Sequence, residues 1–191
     1  MNYMPSLTPY FEELAVALRD FDGAQTTRLV DLLWDCYARG RRLALCGNGG
    51  SAATASHIVA DLQKNMYLAA GKSRWEVVAL TDSTPLLTAW SNDTDFANVF
   101  AGQARCWLRP GDLLLAVSGS GNSPNVLAAV DAAHECGADT IGVCGFGGGR
   151  LAERAHHAIV VHSDNMQIVE DVHMALLHAV YRDLLARLED E

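Results

Sequence analysis

Apolar side chains recur three or four positions apart at Leu7, Tyr10, Phe11, Leu14, Leu18 and Phe21. This spacing predicts an amphipathic helix over 7–21, with Thr8 then Pro9 reading as its N-cap and first-turn pair. A second helix is predicted from about 26 to 39, with Leu29, Val30, Leu33, Trp34 and Tyr37 on one side and Gly40 as its stop. From Arg42 onward the pattern changes to short apolar runs alternating with helical segments. The runs 43–46, 77–80, 113–117, 140–144 and 158–161 read as five strands. The intervening helices fall at about 52–68, 96–107, 124–136 and 150–155, and a last long one at 165–188. Such alternation implies a largely parallel sheet covered on both faces. Two helices ahead of the first strand cannot both be crossovers, so they are expected on the outside of the domain or against another subunit.

Length adds that one domain with a full core is enough, so 1–191 is read as a single unit. A net charge of −9 argues against a nucleic-acid partner, because a phosphate backbone demands a basic face. No apolar run approaches the roughly 18 residues of a membrane span. The opening Met-Asn-Tyr-Met-Pro lacks the basic-then-apolar pattern of a signal peptide, so the default expectation is a cytoplasmic protein with no membrane partner. Cys36, Cys46, Cys106, Cys136 and Cys144 form an odd set without CxxC spacing, which suggests neither disulfides nor a thiolate metal site. The apolar fraction of 50% mildly favours faces buried between subunits.

The most informative segment is Val117-Ser118-Gly119-Ser120-Gly121-Asn122-Ser123-Pro124-Asn125, which follows a strand and opens a helix. Its glycines free the backbone, and its three hydroxyls and several amide hydrogens can converge on one anion at the positive end of the helix beginning near Pro124. That points to a phosphorylated sugar held without lysine or arginine. Gly47-Asn48-Gly49-Gly50-Ser51 is a second strand-to-helix turn; it matches neither a Walker loop nor GxGxxG, and a plain tight turn would look the same. Both turns fall after predicted strands, where open sheets of this class bind ligands. His57 and Asp61 are four apart on the first crossover helix, a spacing for a metal, for a base beside a substrate, or for a solvated pair. On the last helix His178 has Asp171 nearly on its own face and Glu170 about 80° away, while His173 lies about 140° from it. His134, His156, His157 and His162 read as core or surface residues, and Trp90-Ser91-Asn92-Asp93-Thr94-Asp95 as a polar loop with Asx-type turns.

Taken in order, the Gly47–Ala53 stretch (47–53) with His57, then Asn92-Asp93, then the serine turn, then the segment from Glu170 to His178 closely resemble the phosphoheptose isomerases, which are sugar-isomerase (SIS) domain proteins. The likeness runs over nearly the whole chain. It implies an α/β fold, a three-layer αβα SIS domain with a flavodoxin-like five-stranded parallel sheet, and N-terminal helices (1–40) that serve oligomerisation. It also implies a homotetramer with sites between subunits. Ser118, Gly119, Ser120 and Ser123 would bind phosphate, and Asn48, Gly49, Gly50, Ser51, Asn92, Asp93 and Glu170 would contact the sugar. One zinc per subunit would be held by His57, Asp61, Glu170 and His178. The implied reaction converts sedoheptulose 7-phosphate to D-glycero-D-manno-heptose 7-phosphate through an enediol, with Asp61 moving the proton between C1 and C2 and His178 acting on the oxygen side.

Two positions depart from that pattern. Asp61 stands where the family has glutamate, so its carboxylate should fall about 1.5 Å short unless the helix or the substrate moves. Glu170 stands where the family has glutamine, placing an anion where a neutral oxygen stood, which should tighten a divalent cation. The rival reading is a non-catalytic SIS protein, a sugar-phosphate sensor or a tetrameric scaffold; such proteins tend to lack the acid and the histidine. A third is an isomerase for a six- or eight-carbon phosphate, for which the shorter Asp61 leaves room.

Overall fold

The computed structural model describes residues 7–20, 23–69 and 74–189, so Phe21 of the first apolar stripe lies outside the described residues. In chain order the elements are α1 (Thr8–Arg19), α2 (Gly23–Ala38), β1 (Leu43–Cys46), α3 (Gly50–Ala60), a π-helical stretch (Asp61–Met66), α4 (Tyr67–Ala69) and β2 (Val77–Ala79). There follow α5 (Thr84–Asp93), a 3₁₀ turn (Phe96–Asn98), α6 (Ala101–Trp107), β3 (Leu113–Ser118), α7 (Pro124–Glu135), β4 (Asp139–Gly145), α8 (Gly149–Arg154), β5 (His157–Val161) and α9 (Met166–Glu189). All four strand pairings are parallel and the order is β2-β1-β3-β4-β5, the flavodoxin-like arrangement.

Strand residues alternate between two cores, as a period of two requires. Leu43, Leu45, Leu113, Leu115 and Val117 face one side, packed with Leu29 and Leu33 of α2, Ile58 of α3, and Leu177 and Val180 of α9. Ala44, Cys46, Leu114 and Ala116 face the other, against Val126, Ala129, Val130 and Ala133 of α7 and Ala101 and Ala104 of α6. Alanines on both partners let α7 lie close to the second face. Each fully buried leucine contributes about 2 kcal/mol by leaving water.

α1 contributes no buried residue. It packs Tyr10, Leu14 and Ala17 against the cluster of Val161, Ile168, Val169 and Val172, and two polar tethers add to this: the Tyr10 hydroxyl donates to Asp171 Oδ2 at 2.6 Å, and Asn165 Nδ2, just ahead of α9, donates to Glu13 at 3.3 Å. The first tether pushes the Tyr10 phenol up to about 12, because the hydrogen bond to Asp171 favours its protonated form. α2, by contrast, is part of the sheet's own cover.

Three local expectations are corrected. Thr8 is the first helical residue of α1 and not its cap; Leu7 holds that position and no side chain caps the end. Of the segment 90–95 expected as a loop, residues 90–93 are the last turn of α5, which starts where Ser83 Oγ accepts from Leu86 N–H at 3.4 Å and Pro85 enters the first turn, while Asp95 keeps an Asx-type bond, its Oδ1 accepting from Ala97 N–H at 2.7 Å. The Trp90 ring fills the space that a Cβ on Gly102 would need. The helix expected at 52–68 is α3, the π stretch and α4 in succession.

Candidate functional site

The carboxyl ends of β1 and β3, adjacent strands whose connections leave in opposite directions, set the site at the switch point of the sheet. From β1 the chain turns through Gly47–Gly50 (47–50) into α3, with Gly49 at φ +54°. Gly47 has no room for a side chain, since a Cβ would lie 2.8 Å from the Ser51 backbone. Gly50 is glycine because the Glu170 carboxylate occupies the place a Cβ would take. That carboxylate sits at the α3 N-terminus, where the helix dipole favours it.

From β3 the chain passes through the serine turn into α7. Ser118 is buried and its hydroxyl lies 3.3 Å from that of Ser123, the N-cap residue of α7; Ser120 is exposed. No acidic residue stands in the first turn of α7. Of the two helix N-termini here, α3 already has a carboxylate and α7 has hydroxyls, so an anion is best received at α7. The turns are joined by a reciprocal pair: Asn48 Nδ2 donates to Asn125 Oδ1 and Asn125 Nδ2 to Asn48 Oδ1, both at 2.8 Å. Asn48, expected to contact sugar, therefore uses its amide as a strut. Asn125 completes that strut from a buried position and carries no expected role in the sequence reading.

His57 from α3, Asp61 at the start of the π stretch and His178 from α9 converge so that one ligand atom of each lies within 4.8 Å of the others. The two Nε2 atoms are 2.9 Å apart, and Asp61 Oδ2 is 3.4 Å from that of His57 and 3.7 Å from that of His178. Tetrahedral zinc with bonds near 2.0–2.2 Å separates its ligands by about 3.4 Å, so this donor set fits such an ion. Asp61 reaches despite its short side chain, at the point where the helix widens from α to π. Its other oxygen, Oδ1, faces Asn65 Nδ2 at 3.4 Å.

Glu170 is not one of the three converging donors, since its carboxylate lies against Gly50. Asp171 turns the other way, to Tyr10. Asn92 and Asp93 are exposed at the end of α5, where Asn92 Nδ2 donates to Asp93 Oδ1 at 2.8 Å; within one chain no contact joins them to the histidine cluster among the described residues. His173 is buried with its ring on the Cys144 carbonyl, and His134 and His156 both bond Thr140 in β4, the structural role expected of the latter two. Burial pushes the Cys46 and Cys144 thiols up to about 12, which fits small buried hydrophobes.

Over residues 9–145 the chain matches the family described as SIS domain. It is 43% identical over 155 residues to a phosphoheptose isomerase of Desulfovibrio desulfuricans, covering 81% of this chain and 70% of the relative. It is 36% identical over 186 residues to a phosphoheptose isomerase of an Azoarcus species, covering 94% and 93%. The solved phosphoheptose isomerase of Neisseria gonorrhoeae superposes with a TM-score of 0.86 at 33% identity, over 93% of this chain and 96% of that one.

Proposed function

Since the chain belongs to the phosphoheptose isomerases of the SIS-domain family and is thus a sugar-phosphate isomerase, we propose that it interconverts sedoheptulose 7-phosphate and D-glycero-D-manno-heptose 7-phosphate. The observation that carries this reading is the convergence of His57, Asp61 and His178 in a chain that also carries the serine turn between β3 and α7. A binding-only protein has no use for a base and two imidazoles on one point.

In this reading Ser118, Gly119, Ser120 and Ser123 receive the phosphate at the α7 N-terminus. That anchors the sugar at one end and holds its carbonyl end near the cluster. Asp61 takes the proton from the carbon beside the carbonyl and returns it to the neighbouring carbon, and His178 moves a proton between the two oxygens, which makes the enediol. Asn65, bonded to Asp61 Oδ1, leaves Oδ2 directed at the imidazoles. Glu170, at the glycine turn with Gly49, Gly50 and Ser51, accepts sugar hydroxyls. His57, Asp61 and His178 would hold one zinc per subunit, which when bound supplies a Lewis acid for the carbonyl oxygen. The half-exposed cluster and the solvent-facing Asn92 and Asp93 fit a homotetramer, with helices 1–40 as the oligomerisation segment and sites completed by a neighbouring subunit.

The test is to incubate zinc-loaded protein with sedoheptulose 7-phosphate and follow the aldose product by NMR, beside a chelated sample and Asp61→Asn. The expected result is product that chelation suppresses, and a kcat about 10²–10⁴-fold lower in the variant. Full activity in Asp61→Asn removes its role as base, and absence of product in every sample removes the substrate assignment.

A further inference from the structure

An anion site needs amide hydrogens directed inward and carbonyl oxygens directed away. In the serine turn four consecutive carbonyls are tied off. Ser118 O accepts from Gly121 N–H at 3.0 Å, Gly119 O from Gly145 N–H at 2.8 Å and Gly121 O from Leu151 N–H at 2.9 Å. The fourth, Ser120 O, is held by a side chain, accepting from Asn122 Nδ2 at 2.9 Å. Asn122 is bound on its other side as well, since its Oδ1 accepts from Arg150 N–H at 3.2 Å in the first turn of α8. Its backbone N–H donates to Ser120 Oγ at 3.2 Å.

Behind these bonds the Gly145-Phe146-Gly147-Gly148-Gly149 loop lies directly on the serine turn. A Cβ on Gly121 would collide with the Gly148 carbonyl, and one on Gly149 would come within 2.6 Å of both Asn122 Nδ2 and Ser120 O. Within this loop Phe146 has φ +53°, the one non-glycine left-handed residue among those described. Strain of this kind persists only where the surroundings over-determine it. Here the Phe146 N–H donates to Ser163 O at 3.1 Å, and its ring packs on the cluster of Val161, Ile168, Val169 and Val172.

We propose that Asn122 is a positioning residue for the phosphate subsite, bridging the Ser120 carbonyl to the start of α8 so that the turn keeps its carbonyls out of the anion's place. The inference rests on the serine turn being that subsite. Asn122 is itself exposed, so Asn122→Ala leaves the core untouched. Calorimetric titration of the zinc-loaded protein with inorganic phosphate, together with steady-state kinetics, is the test. In Asn122→Ala the phosphate Kd and the sugar-phosphate KM are expected to rise together by about tenfold, with kcat changed far less, as for a lost bond that shapes a charged contact. Gly149→Ala, which presses on the same two atoms from behind, should reproduce the split. A wild-type Kd and KM in Asn122→Ala, or a fall in Tm and kcat with KM unmoved, overturns the proposal. Wild-type protein that takes up no phosphate overturns the subsite reading and this inference with it.

Discussion

His173 projects from α9 onto the sheet, almost wholly buried, and its Nε2 donates to the Cys144 carbonyl at 2.9 Å while Nδ1 has no partner among the described residues. Burial disfavours the imidazolium, so the folded-state pKa lies below 6.5, the bond to Cys144 opposing only part of that shift. Between the folded pKa and 6.5 the unfolded chain binds the proton more readily. The stabilising contribution is therefore full above about pH 6.5 and is lost as pH falls through the folded value. Tm measured against pH should decline on acidification in the wild type and decline less steeply in His173→Gln, whose amide can still donate to Cys144 but does not titrate. Parallel curves would mean that other groups set the acid limit. The same residue illustrates how helical angle reads correctly at this scale. A separation of about 140° from His178 puts His173 in the core and His178 at the site. The Glu170–Asp171 choice was not legible that way, because it turns on the room left by a missing Cβ at Gly50 and on the Tyr10 hydroxyl arriving from α1.

Among elements, the β1 and β3 turns act through their link. Asn125 is 2% exposed, so Asn48→Ala would leave a buried amide unpaired. We expect it to lower the unfolding free energy by about 1–3 kcal/mol in urea titrations, against a few tenths for an ordinary exposed substitution. An unchanged midpoint would show that water replaces the Asn48 amide at no cost. The five strands were legible as apolar runs because a parallel strand buried on both faces carries no polar alternation. The glycine and serine turns were legible because their residue types are dictated locally. α5 was not, since Ser91-Asn92-Asp93 breaks any apolar periodicity, and its start signal was the short Ser83-Thr84-Pro85 run. Nor was the π stretch, whose wider hydrogen bonding no residue type announces. The approach of His178 to His57 and Asp61 is a tertiary event, set by α9 packing beside α3, and only the family's pattern anticipated it.

For the molecule as a whole, α1 presents an apolar outer side beyond its contacts with α9. Leu7, Phe11 and Leu18 are 67%, 59% and 43% exposed along one side of a helix whose adjoining side packs Leu14 and Ala17 against Ile168, Val169 and Val172 of α9. An apolar helix face left in water by its own fold is suited to another copy of the chain. With the proposed homotetramer assembled through this face, Phe11→Asp with Leu18→Asp should shift the protein to smaller species in sedimentation velocity and reduce isomerase activity in step. A double variant that keeps the wild-type sedimentation coefficient would place the interface elsewhere. The acidic net charge of −9 gives such copies a mutual repulsion that salt screens, so assembly should tighten with ionic strength. The reciprocal amide pair has a further consequence, for how the protein ages. Asn48 is followed by Gly49, a sequence in which the glycine nitrogen meets little hindrance in attacking the side-chain carbonyl and converting the amide to an acid. With both ends of the Asn48 amide engaged by Asn125, that carbonyl is kept from turning onto the backbone. The fold thus shelters this fragile bond, and each excursion that parts the two turns exposes it to damage that refolding cannot reverse.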